Sequence, residues 1–136
     1  MSQQTIIREK IDELLRFLPL FEEPEREFIV RWGGGERIDD NTFTMPHPVY
    51  ADDVVAFFGL AGQPFWSDYK YKPAEAGKLL RDDDFIARAT LDEIKTLLTY
   101  CVRGERFCDG HWGAVLQSGK IVAILRRLAI LKETLD

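Results

Sequence analysis

Ile7, Ile11, Leu14, Leu15 and Leu18 recur at helical spacing, with Arg8, Glu9, Asp12, Glu13 and Arg16 on the opposite side. The pattern predicts an amphipathic helix, ended at Pro19 because proline lacks a donor and restricts the residue before it. Pro24, a favoured first-turn residue, is expected to open a second short helix that buries Phe28, Ile29 and Trp32 and stops at Gly33-Gly34-Gly35. Ile38 and Phe43 then flank Asp39-Asp40-Asn41 in the manner of a small hairpin. Pro46 and Pro48 bracket His47 and exclude helix there.

A third helix is predicted over Tyr50 to Ala61, apolar on much of its surface and therefore central. Gly62 and Pro64 close it, and Phe65 to Tyr71 form an aromatic loop. A short helix follows over Pro73 to Leu80, and Asp84 is placed to cap a turn carrying Phe85 and Ile86. Thr90-Leu91-Asp92-Glu93 reads as a capping box, in which hydroxyl and carboxylate each accept from the other residue's backbone N–H. The helix it opens carries Leu91, Ile94, Leu97, Leu98, Cys101 and Val102 on one stripe, and Gly104 is its expected stop. Asp109 is placed to cap the next helix, through Leu116. The last runs from Lys120 to Leu135. Together these elements predict one all-α domain over residues 1–136, with six or seven helices and room for one short β-hairpin near residues 36–45.

Composition narrows the class. Apolar residues make up 46% and charged residues 30%, which is neither a disordered nor a membrane-spanning balance. No apolar run reaches the roughly 20 residues a bilayer span needs, and no signal-peptide pattern precedes the first helix. A cytoplasmic protein is expected, with Cys101 and Cys108 as reduced thiols. Charge is unevenly spread. Residues 1–93 hold 11 Lys/Arg against 19 Asp/Glu, and residues 94–136 hold 7 against 4. The favoured explanation is that the two parts face each other and neutralise, since an acidic chain has no general attraction to nucleic acid.

The densest chemistry lies in Gly104-Glu105-Arg106-Phe107-Cys108-Asp109-Gly110-His111-Trp112. Cys108 and His111 stand three apart near a helix start, where a thiolate is favoured, so an enzyme of hydrolase type is one alternative. Against it, Cys is among the side chains most often buried and inert. Cys101, Cys108 and His111 form only one loose half of a zinc pattern, with His47 as a remote fourth donor; no metal or cofactor is expected. A helix-turn-helix reading is the other alternative, but the helix after Asp109 offers no Lys or Arg before Lys120. Most of the segment serves as a joint between two helices, with Gly104 terminating, Asp109 capping and Trp112 packing. In the aromatic loop, Trp66, Tyr69 and Tyr71 with Asp68 suit either a pocket wall or an edge of the core.

The stretch Arg103 to Trp112, with Pro48-Val49-Tyr50 and Trp66-Ser67-Asp68-Tyr69, resembles a family of short bacterial and archaeal proteins of unknown function marked by R-F-x-x-G-H-W. The resemblance covers the chain from about residue 45 onward and implies no catalytic role for any residue. It makes the joint and the aromatic loop candidates for one shared surface. The expectation is a helical binding domain without catalytic residues. Its candidate ligand-binding set is Arg106, His111, Trp112, Trp66, Asp68, Tyr69 and Tyr71, for a small anionic ligand or a protein segment in preference to nucleic acid.

Overall fold

A computed structural model describes residues 2–135. Helices dominate: α1 (Gln3–Leu15), α2 (Leu18–Phe21), α3 (Asp52–Ala61), α4 (Pro73–Leu80), α5 (Asp83–Arg88), α6 (Leu91–Gly104), α7 (His111–Gln117) and α8 (Lys120–Glu133). Of these, α2 is a single turn. Four short strands separate it from α3, namely β1 (Ile29–Gly33), β2 (Arg37–Asp39), β3 (Thr42–Phe43) and β4 (His47–Tyr50). The mainly helical class thus holds, and the small hairpin is present as β2 paired with β3.

The helix expected after Pro24 does not form. Its second half is β1, paired antiparallel with β4. Helical spacing of Phe28, Ile29 and Trp32 invited the wrong period, but Ile29, Val30 and Trp32 are strand formers, and Glu25 takes φ 60°, which no helix admits. The pairing also has a bulge. Ile29 faces Tyr50 and Trp32 faces Pro48, so three steps along β1 match two along β4. Ile29 and Trp32 therefore share one face of the ribbon, and this masks the alternation a strand ordinarily shows. Gly34, at φ 78°, turns the chain where a Cβ would lie 2.1 Å from the carbonyl oxygen of Met45.

Pro19 does not end the first helix either. That helix stops at Leu15, and Pro19 sits in the first turn of α2, where its missing N–H costs nothing. Asp82, not Asp84, caps α5 by accepting from the N–H of Phe85. The capping box of α6 forms with both bonds, Glu93 N–H to Thr90 Oγ1 at 3.2 Å and Thr90 N–H to Glu93 Oε1 at 2.9 Å.

The core lies where α1, α3, α6 and α8 meet. Leu14, Val54, Phe57, Ile94, Leu97, Leu98, Ile124, Leu125 and Leu128 are fully buried there. An aromatic cluster extends it: Phe57 meets Phe17, Phe21 and Phe58 edge-on, with ring centroids 5.1–5.6 Å apart. Ion pairs join the basic C-terminal part to the acidic remainder. Lys120 meets Asp83 at 2.7 Å, Arg126 meets Glu22 at 2.7 Å and Lys132 meets Asp12 at 2.5 Å. The uneven charge is thus partly neutralised within the fold. Among the described residues no helix is long and apolar enough to cross a membrane.

Candidate functional site

The Gly104–Trp112 segment is held by one carboxylate. Glu105, just past the end of α6, accepts from the N–H of Gly110 at 2.9 Å and from the N–H of Trp112 at 2.8 Å. It thereby satisfies donors at the start of α7 that a conventional cap would take. Asp109, expected in that role, does not fill it: the N-cap position is Gly110, at φ 88°, which has no side chain to cap with. Glu105 also accepts from the phenol of Tyr50 at 2.7 Å. Burial, with the carboxylate beside it, pushes the Tyr50 phenol well above its ordinary value.

Trp112 packs flat on Phe58, with centroids 4.5 Å apart and planes within 6°, and its indole N–H donates to the carbonyl of Val102 at 3.0 Å. His111 is half-buried, edge-on to Tyr100 at 5.3 Å. Its ring lies against Gly104, where a Cβ would come within 2.3 Å of it. Gly104 is thus required by close approach rather than by a left-handed turn. Nε2 of His111 is buried without a hydrogen-bond partner among the described residues. Burial lowers the His111 pKa, and the Glu105 charge opposes this more weakly, so the ring is neutral near pH 7.

The aromatic loop is anchored from below. Trp66 is 1% exposed and belongs to the core. The N–H of Asp68 donates to Thr99 Oγ1 at 2.8 Å, and its carboxylate accepts from the Thr96 hydroxyl at 2.7 Å and the Lys70 N–H at 3.0 Å. Those bonds, Thr96 first, hold the Asp68 carboxyl below its usual range, with smaller help from Lys70 and Arg103. The loop is thereby fixed along α6, and Tyr69 and Tyr71 come to rest beside Arg103. The Arg103 guanidinium lies 5.7 Å from the Tyr69 ring centre and 5.3 Å from that of Tyr71.

A cleft of about 130 Å³ opens at this place, lined by Gly62, Ser67, Tyr69, Thr99, Arg103 and Arg106 among others. Of the seven nominated residues, Tyr69 and Arg106 line it, and Tyr71 and Asp68 flank it through Arg103. Trp66, His111 and Trp112 are engaged in packing elsewhere. Arg103 is the addition. It stands in the last turn of α6, three residues before Arg106, whose N–H bonds back to the Arg103 carbonyl at 3.1 Å in the turn that follows the helix. Glu105 was not legible as a cap, because its bonds reach five and seven residues ahead.

The other chemistry is dispersed. Cys101 is fully buried and its thiol is pushed up to about 12 by that burial. Cys108 is exposed, and among the described residues the one hydrogen bond of its thiol is a long contact to the Asp109 carbonyl at 3.9 Å. No group of three or more His, Cys, Asp or Glu residues stands close enough to hold a metal among the described residues. The helix α7, His111–Gln117, carries no Lys or Arg.

A family model described as a family of unknown function, DUF6508, matches residues 6–134. No curated protein and no solved structure matches the chain.

Proposed function

The chain belongs to the DUF6508 family of unknown function, and from its own geometry we propose that it is a non-catalytic binding domain whose cleft between the aromatic loop and the end of α6 takes a small anionic ligand. One observation carries the reading. Arg103 and Arg106 both line the cleft, and among the described residues neither has an ion-pair partner within 4.0 Å. A guanidinium stacked on tyrosine rings is held in plane, with its N–H edge free for the paired oxygens of a carboxylate or phosphate.

Other donors in the cleft are already committed. The Ser67 hydroxyl donates toward the carbonyls of Gly62 and Gln63, at 3.3 and 3.0 Å, and the Thr99 hydroxyl donates to that of Lys95 at 2.8 Å. Recognition of an anion therefore falls to the arginines and the Tyr69 hydroxyl. The ends of α3 and α6 converge here with their carbonyls, which favours holding cations in place. The volume suits a single phosphate, sulfate or carboxylate group rather than a large cofactor. In this reading Trp66, Trp112 and His111 form the support behind the site, and Asp68 sets the loop. The two cysteines, one buried and one exposed, suit a reducing compartment such as the cytoplasm.

A ligand that binds only the folded state raises its melting temperature. Thermal unfolding in inorganic phosphate, sulfate and citrate, against chloride at equal ionic strength, tests the proposal. The expected result is a rise with at least one of these anions that vanishes in Arg103→Ala/Arg106→Ala, whose melting temperature without added anion stays near the parent's. An equal rise in that variant would overturn the assignment.

A further inference from the structure

A second surface lies on different residues. The bulge in β1 turns Trp32 to the same side as Ile29, and this side faces α7: the Trp32 ring comes within 3.7 Å of where a Cβ on Gly110 would be, and Ile29 within 3.0 Å of one on Gly113. Between the ribbon and α7 runs a groove of about 320 Å³, floored by Phe28, Ile29, Gly113 and Ala114. Phe28 and Gln117 are shared with an adjoining hollow of about 270 Å³ that continues past Gly119 toward Val122 and Arg126. Trp32 is 55% exposed at one end. Exposed aromatics beside an apolar trough mark contact surfaces.

The wall of this trough is acidic. The turn from Phe21 to Phe28 carries Glu22, Glu23, Glu25 and Glu27; Glu27 lines the groove and the other three line its continuation. Glu22 is paired with Arg126, whereas Glu23, Glu25 and Glu27 have no ion-pair partner among the described residues. We propose that this groove docks a short basic amphipathic segment of another protein, seating an apolar side chain beside Trp32 while Lys or Arg side chains meet Glu23, Glu25 and Glu27. A second copy of the chain is the poorer fit. The basic side chains of α8 are already used internally, Lys120 on Asp83, Arg126 on Glu22, Lys132 on Asp12 and Arg127 on the carbonyl of Ala89.

The test titrates the full ¹⁵N-labelled chain with a peptide of Lys, Leu and Ala whose leucines share one helical face. Two control peptides replace Lys by Glu and Leu by Ser. Saturable shifts are expected at the Trp32 indole N–H and at the amides of Gly110 and Gly113, with the Lys/Leu peptide alone. Ala114→Arg, at an exposed position, and Glu25→Lys/Glu27→Lys should each weaken binding by about tenfold or more. Shifts centred elsewhere, no saturable shift, or equal shifts with the Lys/Ser peptide would overturn the proposal. So would a dimer in sedimentation that Trp32→Ser dissociates, because a second copy would then cover the groove.

Discussion

The Glu105 carboxylate and the Tyr50 hydroxyl meet at 2.7 Å across 55 residues of sequence. The same carboxylate oxygen accepts from the N–H of Trp112, and the Tyr50 hydroxyl in turn accepts from that of Gly113 at 3.4 Å. Strand β4 is thereby tied to the start of α7 through a residue that terminates α6. Removing the carboxylate in Glu105→Ala leaves two backbone donors and a half-buried phenol unsatisfied, at a cost of about 2–4 kcal/mol. Tyr50→Phe loses both bonds of the hydroxyl, the one to Glu105 and the longer one from Gly113, and should cost about 1–2 kcal/mol. Urea unfolding of both variants and of the double variant measures the coupling. Additive losses would mean that the bond contributes nothing of its own.

Gly104→Ala distinguishes close approach from helix propensity. On an open helix end alanine is the better residue, but here its methyl would sit 2.3 Å from the His111 ring. A loss of about 1–3 kcal/mol is expected from overpacking. In a His111→Ala background the same substitution should become neutral or stabilising. A loss unchanged in that background would locate the cause elsewhere.

Acid should weaken the fold through His111 before the carboxylates protonate. Burial depresses the folded pKa of this ring below its ordinary 6.5, so the unfolded chain takes up its proton first. The neutral ring's contribution is complete above pH 6.5 and is lost progressively as pH falls toward the folded value. Asp53 and Asp68, held below 3.8 in the folded state by Arg26 and by Thr96, act in the same direction but at lower pH. Urea midpoints from pH 7.5 to 5 should fall in the parent protein and stay flatter in His111→Gln. Parallel curves would remove His111 as the cause.

The helices were legible because their apolar stripes are long and their caps local. The Thr90–Glu93 box and the Pro73 start of α4 can be read from four or five adjacent residues. The ribbon of β1 and β4 was not, since the bulge at Val30 gives Ile29 and Trp32 a spacing of three, which imitates a helix turn. Within the site, Arg106 and Tyr69 were nominated by residue type, but their meeting depends on Asp68 bonding to Thr96 and Thr99. A capping carboxylate six residues ahead of its helix, as Glu105 is, has no short signature.

Loss of the loop anchor should disturb the cleft more than the core. Thr99→Val keeps the buried volume but removes the acceptor for the Asp68 N–H and the hydroxyl bond to Lys95. A destabilisation of about 1–2 kcal/mol is expected, together with weaker protection of the Asp68–Tyr71 amides in hydrogen exchange. Unaltered exchange in that loop would show that the Thr99 bond does not position it.

The anion site is most directly tested at the arginine side chains themselves. In spectra of the Arg Nε–Hε groups, titration with inorganic phosphate at fixed ionic strength should move Arg103 and Arg106 together, saturably and with one dissociation constant, while Arg26, partly buried and paired with Asp53, stays still. Linear, non-saturating drifts of equal size across all exposed arginines would contradict it, because they would report general screening rather than a bound anion.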